Sequence, residues 1–359
     1  MVDFSIFHNK TVLITGHTGF KGSWLAIWLH MLGARVIGYA LDPYSEKDNF
    51  VLSGIGSKIE ADIRGNLSDT KKLKEVFDKY QPEIVFHLAA QPLVRLSYEF
   101  PVDTYQTNVM GTIYVMEEIR RCDATQVAVM ITTDKCYENR ENLWGYRENE
   151  AMGGYDPYSS SKGSAEIAIS SWRRSYMNPI DYSQHAKSIA SARAGNVVGG
   201  GDWALDRIIP DCIRALEAGF PIEIRSPKSI RPWQHVLEPL SGYMTLAIKM
   251  IENPTKYCEG WNFGPSLDSI VPVWDIASMV IKNYGKGELK DISNRKALHE
   301  AKLLALDITK ARFELGWTPR WNIEQTIQKT VEWYTKYQTT DVYQLCINQI
   351  EQYTNDNQR

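Results

Sequence analysis

Two short stretches of this 359-residue chain carry side chains whose types and spacing suit acid–base chemistry. In "YSSSK", Tyr158 and Lys162 are four residues apart, so a helix presents both on one face. A tyrosine accepts protons near neutrality only if its pKa falls from about 10 to about 7, which requires roughly 4 kcal/mol. One cation about 4 Å away, at an effective dielectric of ~20, supplies about that much. Lys162 can be that cation. The second stretch, "TTDK", closes the apolar run "VAVMI" and sets Thr133, Asp134 and Lys135 side by side. A hydroxyl there can hold a reacting oxygen in line, and a carboxyl can donate a proton if burial keeps it protonated. Lys135 is a base if desolvation neutralises it, and a stabilising cation if it stays charged. Adjacent strand residues face opposite ways, so Asp134 and Lys135 reach one ligand only if the strand has ended by Asp134. The bland readings are a chance Tyr-x-x-x-Lys and a surface lysine closing a strand.

A nucleotide site precedes both stretches. "ITGHTGFKGSW" places Gly16, Gly19 and Gly22 between a strand-like run and a helix-like one, with Thr18, Phe20 and Lys21 in the same turn. Glycine permits the tight turn and the approach of backbone N–H groups to a pyrophosphate, and the helix N-terminus adds a positive dipole end. Asp42 closes the next strand, where a carboxylate accepts hydrogen bonds from the adenosine ribose and repels a 2′-phosphate. NAD is therefore favoured over NADP. Asp62, followed by Ile63 in "ADIRG", is placed to reach the adenine. "HLAAQ" ends a strand in Leu88, Ala89 and Ala90, which lets a cofactor pass close to the backbone. His87 reads as a packed core histidine.

These groups need a frame, and the first half of the chain alternates strand-like and helix-like segments. "TVLIT", "RVIGYALD", "EIVFHLAA" and "QVAVMITT" read as strands. "KGSWLAIWLHMLG" reads as a helix closed by Gly33, "SDTKKLKEVFDKY" as one capped by Ser68, and 157–172 as the helix of Tyr158. Such alternation implies right-handed βαβ units: an α/β fold with a Rossmann-type doubly wound parallel sheet. Beyond about Gly199 the pattern is irregular and rich in aromatics and prolines, which suggests a smaller, loop-rich C-terminal substrate-binding lobe. The expected division is 1–190, plus about 232–258, for the NAD-binding domain, and 191–231 with 259–359 for the lobe. "NIEQTIQKTVEWYTKYQ" reads as the closing helix and "YTNDNQR" as a solvated end.

Composition excludes several classes. The net charge is −3, with no basic surplus for phosphate-backbone binding, so nucleic acid is not an expected partner. Five scattered cysteines, none in a CxxC, argue for reduced thiols rather than a disulfide frame or a metal site. No secretory signal opens the chain, and no apolar run approaches the ~18 residues of a spanning helix. A soluble, cytoplasmic protein is expected.

"TGHTGFKG", "ADIRG", "HLAAQ", "TTDK", "YSSSK", "RAGNVVGGGD", "RPWQHV" and "LGWTPRW" together resemble the extended short-chain dehydrogenase/reductase family, in its nucleotide-sugar branch. Dehydratases of that branch carry Thr-Asp-Glu at the strand end, where this chain has Thr-Asp-Lys. With "AAQPLVRLSYEFP" and "WGYRENEAMGGYDPYSSSKG", the pattern is similar to the dehydratases acting on CDP-D-glucose. The resemblance implies bound NAD and an internal redox dehydration that feeds deoxysugar synthesis for cell-surface polysaccharide. It gives oxidation at C4 to Tyr158, Lys162 and Thr133, and elimination across C5–C6 to Asp134 and Lys135. It also implies that Asn196, Arg207 and Arg231 grip a nucleotide diphosphate, that His299 touches the nucleotide, and that the chain forms a homodimer or a dimer of dimers. A nucleotide-sugar 4-epimerase and a catalytically inactive NAD-binding scaffold are the competing readings.

Overall fold

The computed structural model describes residues 2–266, 269–293 and 304–356. Its centre is a parallel sheet built from β1 (Thr11–Thr15), β2 (Arg35–Ala40), β3 (Ala61–Arg64), β4 (Ile84–His87), β5 (Val127–Ile131) and β6 (Ser188–Ala194). A seventh strand, Gly260–Phe263, completes it. Across the sheet the order is Gly260–Phe263, β6, β5, β4, β1, β2, β3. The chain starts at β1, winds outward to β3, then crosses to β4 on the other side of β1. The connections diverge between β1 and β4, and a crevice opens beyond the carboxyl ends of those strands. All five residues of β1, β5 and their side chains are buried, as expected of strands covered on both faces.

The Gly260–Phe263 strand pairs with β6, from Gly260 beside Ser191 to Phe263 beside Ala194. It lies within the segment that the sequence reading assigns to the lobe, because one short run, "GWNF", carries no helix–strand alternation of its own. Elsewhere the C-terminal half forms small ladders. Ile222–Ile224 pairs with Leu289–Asp291, and Ile230–Pro232 with Ile270–Pro272.

Local capping departs from expectation at the helix Thr70–Tyr80. Its N-cap is Asp69, whose carboxylate accepts from the Lys72 N–H, rather than Ser68. Gly33 lies one residue past the C-cap Leu32 of the helix Phe20–Met31, at φ +79°. That helix buries Trp24 through Leu29 without interruption. The reason lies at the far end of the chain. A last helix, Val342–Asn355, packs against it, with Trp28 edge-on to Tyr353 at 5.8 Å between ring centroids. This corrects the reading of "NIEQTIQKTVEWYTKYQ" as the closing helix and, at Tyr353, of "YTNDNQR" as a solvated end, of which 357–359 lie outside the described residues. Tyr353 is 1% exposed and its hydroxyl bonds Ser241 and Glu238. The glutamine- and asparagine-rich face of that helix masked its apolar stripe. All five cysteines are buried and free. Among the described residues no helix is long and apolar enough to cross a membrane.

Candidate active site

At the crevice, Gly16 follows β1 in the left-handed region, at φ +78°. A Cβ there would lie 2.7 Å from the Ala89 nitrogen, so the turns after β1 and β4 touch. A Cβ on Gly22 would lie 2.1 Å from the Gly16 carbonyl oxygen, which fixes glycine where the helix leaves the sheet. Gly19 differs. Its Cβ position meets only the Gly16 oxygen, at 3.4 Å, so nothing in the protein demands glycine there. The open space over Gly19, at the start of the helix Phe20–Met31, fits a cofactor pyrophosphate approaching the backbone. Thr18 ties the loop to the end of β2 by donating to the Leu41 carbonyl at 3.0 Å. Leu88, Ala89 and Ala90 are half-buried beside it, and the Ala89 N–H donates to the Thr15 hydroxyl at 3.3 Å.

The acids after β2 and in β3 are already engaged. Asp42, with its side chain 86% exposed, pairs with Arg64 at 3.3 Å. Asp62 accepts from Arg64 at 2.9 Å and, through its other oxygen, from His17 Nε2 at 2.7 Å. Ile63 pairs in register with Tyr39. His17 was not singled out in the sequence. It is fully buried beneath the glycine loop, and a Cβ on Gly38 would lie 2.3 Å from its ring. His87 is a core residue whose Nδ1 bonds Thr15 at 2.7 Å, and burial pushes its pKa down to about 3.

β5 ends at Ile131, before the "TDK" triplet, and Asp134–Cys136 forms a single tight turn. Thr133 caps that turn, and its hydroxyl donates to Asp134 Oδ1 at 2.9 Å. The early strand end lets Asp134 and Lys135 line the same cleft, of about 1840 Å³, together with Tyr158. Phe20, Lys21, Asn196, Arg207 and Arg231 line it too. Asp134 is 2% exposed, and its Oδ2 has no hydrogen-bond partner. A Cβ on Gly195 would come within 2.9 Å of that oxygen, so the carboxyl is packed where only glycine leaves it room. Burial raises the Asp134 pKa against the pull of Lys135, Thr133 and Arg231. Gly195 sits in "RAGNVV", and the sequence offers no signal beyond a glycine after a strand.

Tyr158 and Lys162 lie on the first turns of the helix Pro157–Ser175, capped by Asp156 accepting from the Ser159 N–H. Both are buried. Burial pushes the Tyr158 phenol up to about 12, opposed by its hydrogen bond to Thr133 and by the Arg207 charge. Lys162 falls to about 8, again by burial, and its Nζ donates to the Ile131 carbonyl at 3.4 Å. In this geometry Tyr158 stays a phenol. The cation four residues away does not by itself make it a base.

Lys21 is a half-buried amine on the same cleft, lowered to about 7 by desolvation and by the charges of Lys162 and Arg207. Arg207 pairs with Asp202 at 2.7 Å, Arg231 donates to the Ile230 carbonyl at 2.9 Å, and the Asn196 carbonyl accepts from Gln234 N at 3.1 Å. Trp233 and His235 are packed rings, with His235 between Trp24 and Trp321 at 6.0 and 4.8 Å. His299 lies outside the described residues. Among the described residues no cluster of three His, Cys, Asp or Glu side chains could hold a metal.

Comparison with known proteins extends this picture. The chain is 49% identical, over 93% of its length and 93% of the relative's, to a CDP-glucose 4,6-dehydratase of Salmonella typhimurium. It is 26% identical to dTDP-glucose 4,6-dehydratase 1 of Escherichia coli, over 90% of this chain and 92% of that one. Its fold superposes on a crystal structure of dTDP-glucose 4,6-dehydratase from Bacillus anthracis in complex with NAD. There the TM-score is 0.76 at 20% identity, covering 94% of this chain and 99% of that one. A UDP-glucose 4-epimerase from Thermotoga maritima shares the fold as well, at a TM-score of 0.73 and 23% identity, over 90% and 98% of the two chains. The family model for GDP-mannose 4,6 dehydratase matches residues 13–330, spanning the glycine loop, the Thr133 turn and the Tyr158 helix. By that match the chain belongs to the GDP-mannose 4,6 dehydratase family.

Proposed function

We propose that this protein is an NAD-dependent nucleotide-sugar 4,6-dehydratase that converts CDP-D-glucose to CDP-4-keto-6-deoxy-D-glucose and water. The observation that carries the reading is Asp134: a buried acid, one oxygen held by Thr133 and the other unpartnered, in the cleft of Tyr158. A 4-epimerase has no task for such a proton donor. The relative at 49% identity bears the name of this activity and supports the CDP-sugar. The open space over Gly19 and the close-packed Gly16 and Gly22 support NAD at the crevice. We assign the cofactor to the sheet body and the nucleotide sugar to the lobe side of the cleft.

Bound NAD would supply a hydride acceptor for C4, a hydride for C6, and a positive ring close to Tyr158. The chain's own residues handle the protons. Tyr158, lowered to its phenolate by Lys162 together with that ring charge, would take the proton of the sugar 4-hydroxyl, with the Thr133 hydroxyl holding that oxygen in line. The C4 ketone acidifies the C5 proton. Lys135, beside the acid, takes that proton as the base and returns it to C5 once the 6-hydroxyl has left. Asp134 protonates the departing 6-hydroxyl, since hydroxide alone is a poor leaving group. Arg231 and Arg207 face the same cleft, where guanidinium forks meet diphosphate oxygens two at a time.

The test offers CDP-, dTDP-, GDP- and UDP-hexoses to the purified protein with NAD and follows product mass. The expected result is loss of one water from CDP-glucose. An isomer of unchanged mass would establish the epimerase, and retained NAD without turnover on any sugar would establish a scaffold.

A further inference from the structure

Among the buried charges that the chemistry above leaves unused, one lies on the helix of Tyr158 and Lys162. Glu166 lies one turn beyond Lys162 and two beyond Tyr158 on the same helix, and is 4% exposed. Its carboxylate accepts from Ser191 at 2.8 Å, from Arg193 at 2.7 Å, and from the hydroxyl of Thr132, next to Thr133. Arg193, 5% exposed, also donates to the Tyr137 hydroxyl at 2.6 Å and the Glu148 carbonyl at 3.0 Å. The Tyr137 hydroxyl donates on to Asn262 at 2.8 Å. A Cβ on Gly260 would lie 2.5 Å from Arg193 Nη2, so the edge strand leaves room for the guanidinium. This lattice joins the helix of Tyr158 and Lys162 to the end of β5, to β6 and to the Gly260–Phe263 strand.

We propose that Glu166 is a positioning residue for the reaction. It clamps the Tyr158–Lys162 helix to the strand end bearing Thr133, and it is the carboxylate that keeps Lys162 protonated. The inference rests on the proposed dehydratase chemistry, which needs a charged Lys162.

The electrostatic half follows from what surrounds the two groups. Facing Lys162 are Glu166 on its own helix, Cys136 on the turn after β5, Lys21 on the helix Phe20–Met31, and His87 at the end of β4. Of these, only Glu166 is a carboxylate. Facing Glu166 are Arg193 and Ser191 on β6, Thr132 after β5, Cys136, and Arg173 farther along the helix. Burial lowers Lys162 and Glu166 opposes it. Arg193 holds that carboxylate ionised against its own burial, so the charge on the lysine rests on an opposition between burial and these two partners.

That opposition supplies the test. In Glu166→Gln the alkaline limb of the kcat–pH profile, where Lys162 loses its proton, moves down by about one pH unit or more. In Arg193→Met the buried Glu166 loses the guanidinium that holds it ionised and takes up a proton, so the limb moves down as well. Glu166→Asp keeps the charge but shortens the reach, so kcat falls while the limb stays. A purely structural clamp lowers kcat in these variants and leaves the limb in place. Isotope-labelled lysine NMR of the NAD-bound protein follows the Lys162 titration directly and needs no turnover. If wild type fails to dehydrate any CDP-hexose, the functional reading falls while the NMR titration still judges this one. A folded Glu166→Gln protein whose limb and Lys162 titration both stay at the native position overturns it. Should that variant not fold, an Arg193→Met limb that stays or moves up does so instead.

Discussion

Replacing Gly195 by alanine puts a methyl group into the space that Asp134 occupies. The added Cβ would sit 2.9 Å from Asp134 Oδ2 and 3.1 Å from Pro232 Cγ, inside the ~3.5 Å of ordinary heavy-atom contact. The carboxyl cannot simply swing away, being 2% exposed with its other oxygen held by Thr133 at 2.9 Å. Overpacking of this kind costs about 1–3 kcal/mol. Placed on the step proposed for Asp134, that is roughly a five- to 150-fold loss in rate. The nearest neighbours of the new methyl are atoms of Asp134 and Pro232, so the expected loss falls on elimination more than on oxidation at C4. Stopped-flow absorbance of the reduced nicotinamide separates the two steps. Native enzyme reduces its cofactor transiently, whereas Gly195→Ala accumulates it because elimination lags. Turnover within about twofold of native, or equal loss of both steps, would refute the idea that glycine makes room for the acid.

Three further expectations follow from the same coordinates. Lys135→Met, which removes the amine beside Asp134 in the cleft, slows dehydration by about a hundredfold while cofactor reduction persists; a normal rate of water loss rules out a direct role. Lys21→Met stabilises the cofactor-free protein near neutrality by about 1–4 kcal/mol, because a half-buried, desolvated amine beside Lys162 and Arg207 is replaced by an apolar chain. With the folded Lys21 lowered to about 7 against about 10.4 unfolded, the native state holds fewer protons between those values. Wild-type stability therefore rises with pH across that window and the variant lacks the rise, which thermal melts at several pH values measure. Tyr353→Phe removes the hydroxyl shared by Ser241 and Glu238 and lowers unfolding stability by about 1–3 kcal/mol in a denaturant titration, with the product unchanged.

The residues that do local jobs were legible from the chain. "TVLIT" and "VAVMI" are unbroken apolar runs, so they announce strands buried on both faces, and the glycine loop lies between its strand and its helix. Tyr158 and Lys162 share a helix face because a spacing of four fixes that in any helix. Asp69 displaced Ser68 as a cap because a cap is decided by which residue leaves helical geometry first, and two adjacent candidates look alike in sequence. The closing helix was missed because half its surface is polar, and its apolar stripe has meaning only against Trp28, more than 300 residues earlier.

Sequence alone settled which chemical groups the chain owns and which lie within a turn of one another: the glycine loop, the Thr133–Lys135 triplet, the Tyr158–Lys162 pair. Tertiary structure decided what each of them meets. It brought Gly195 against Asp134, His17 against Asp62 and Arg193 against Glu166, pairs drawn from segments far apart in the chain. Burial, which sets whether a carboxyl keeps its proton and whether a lysine keeps its charge, is a property of those meetings.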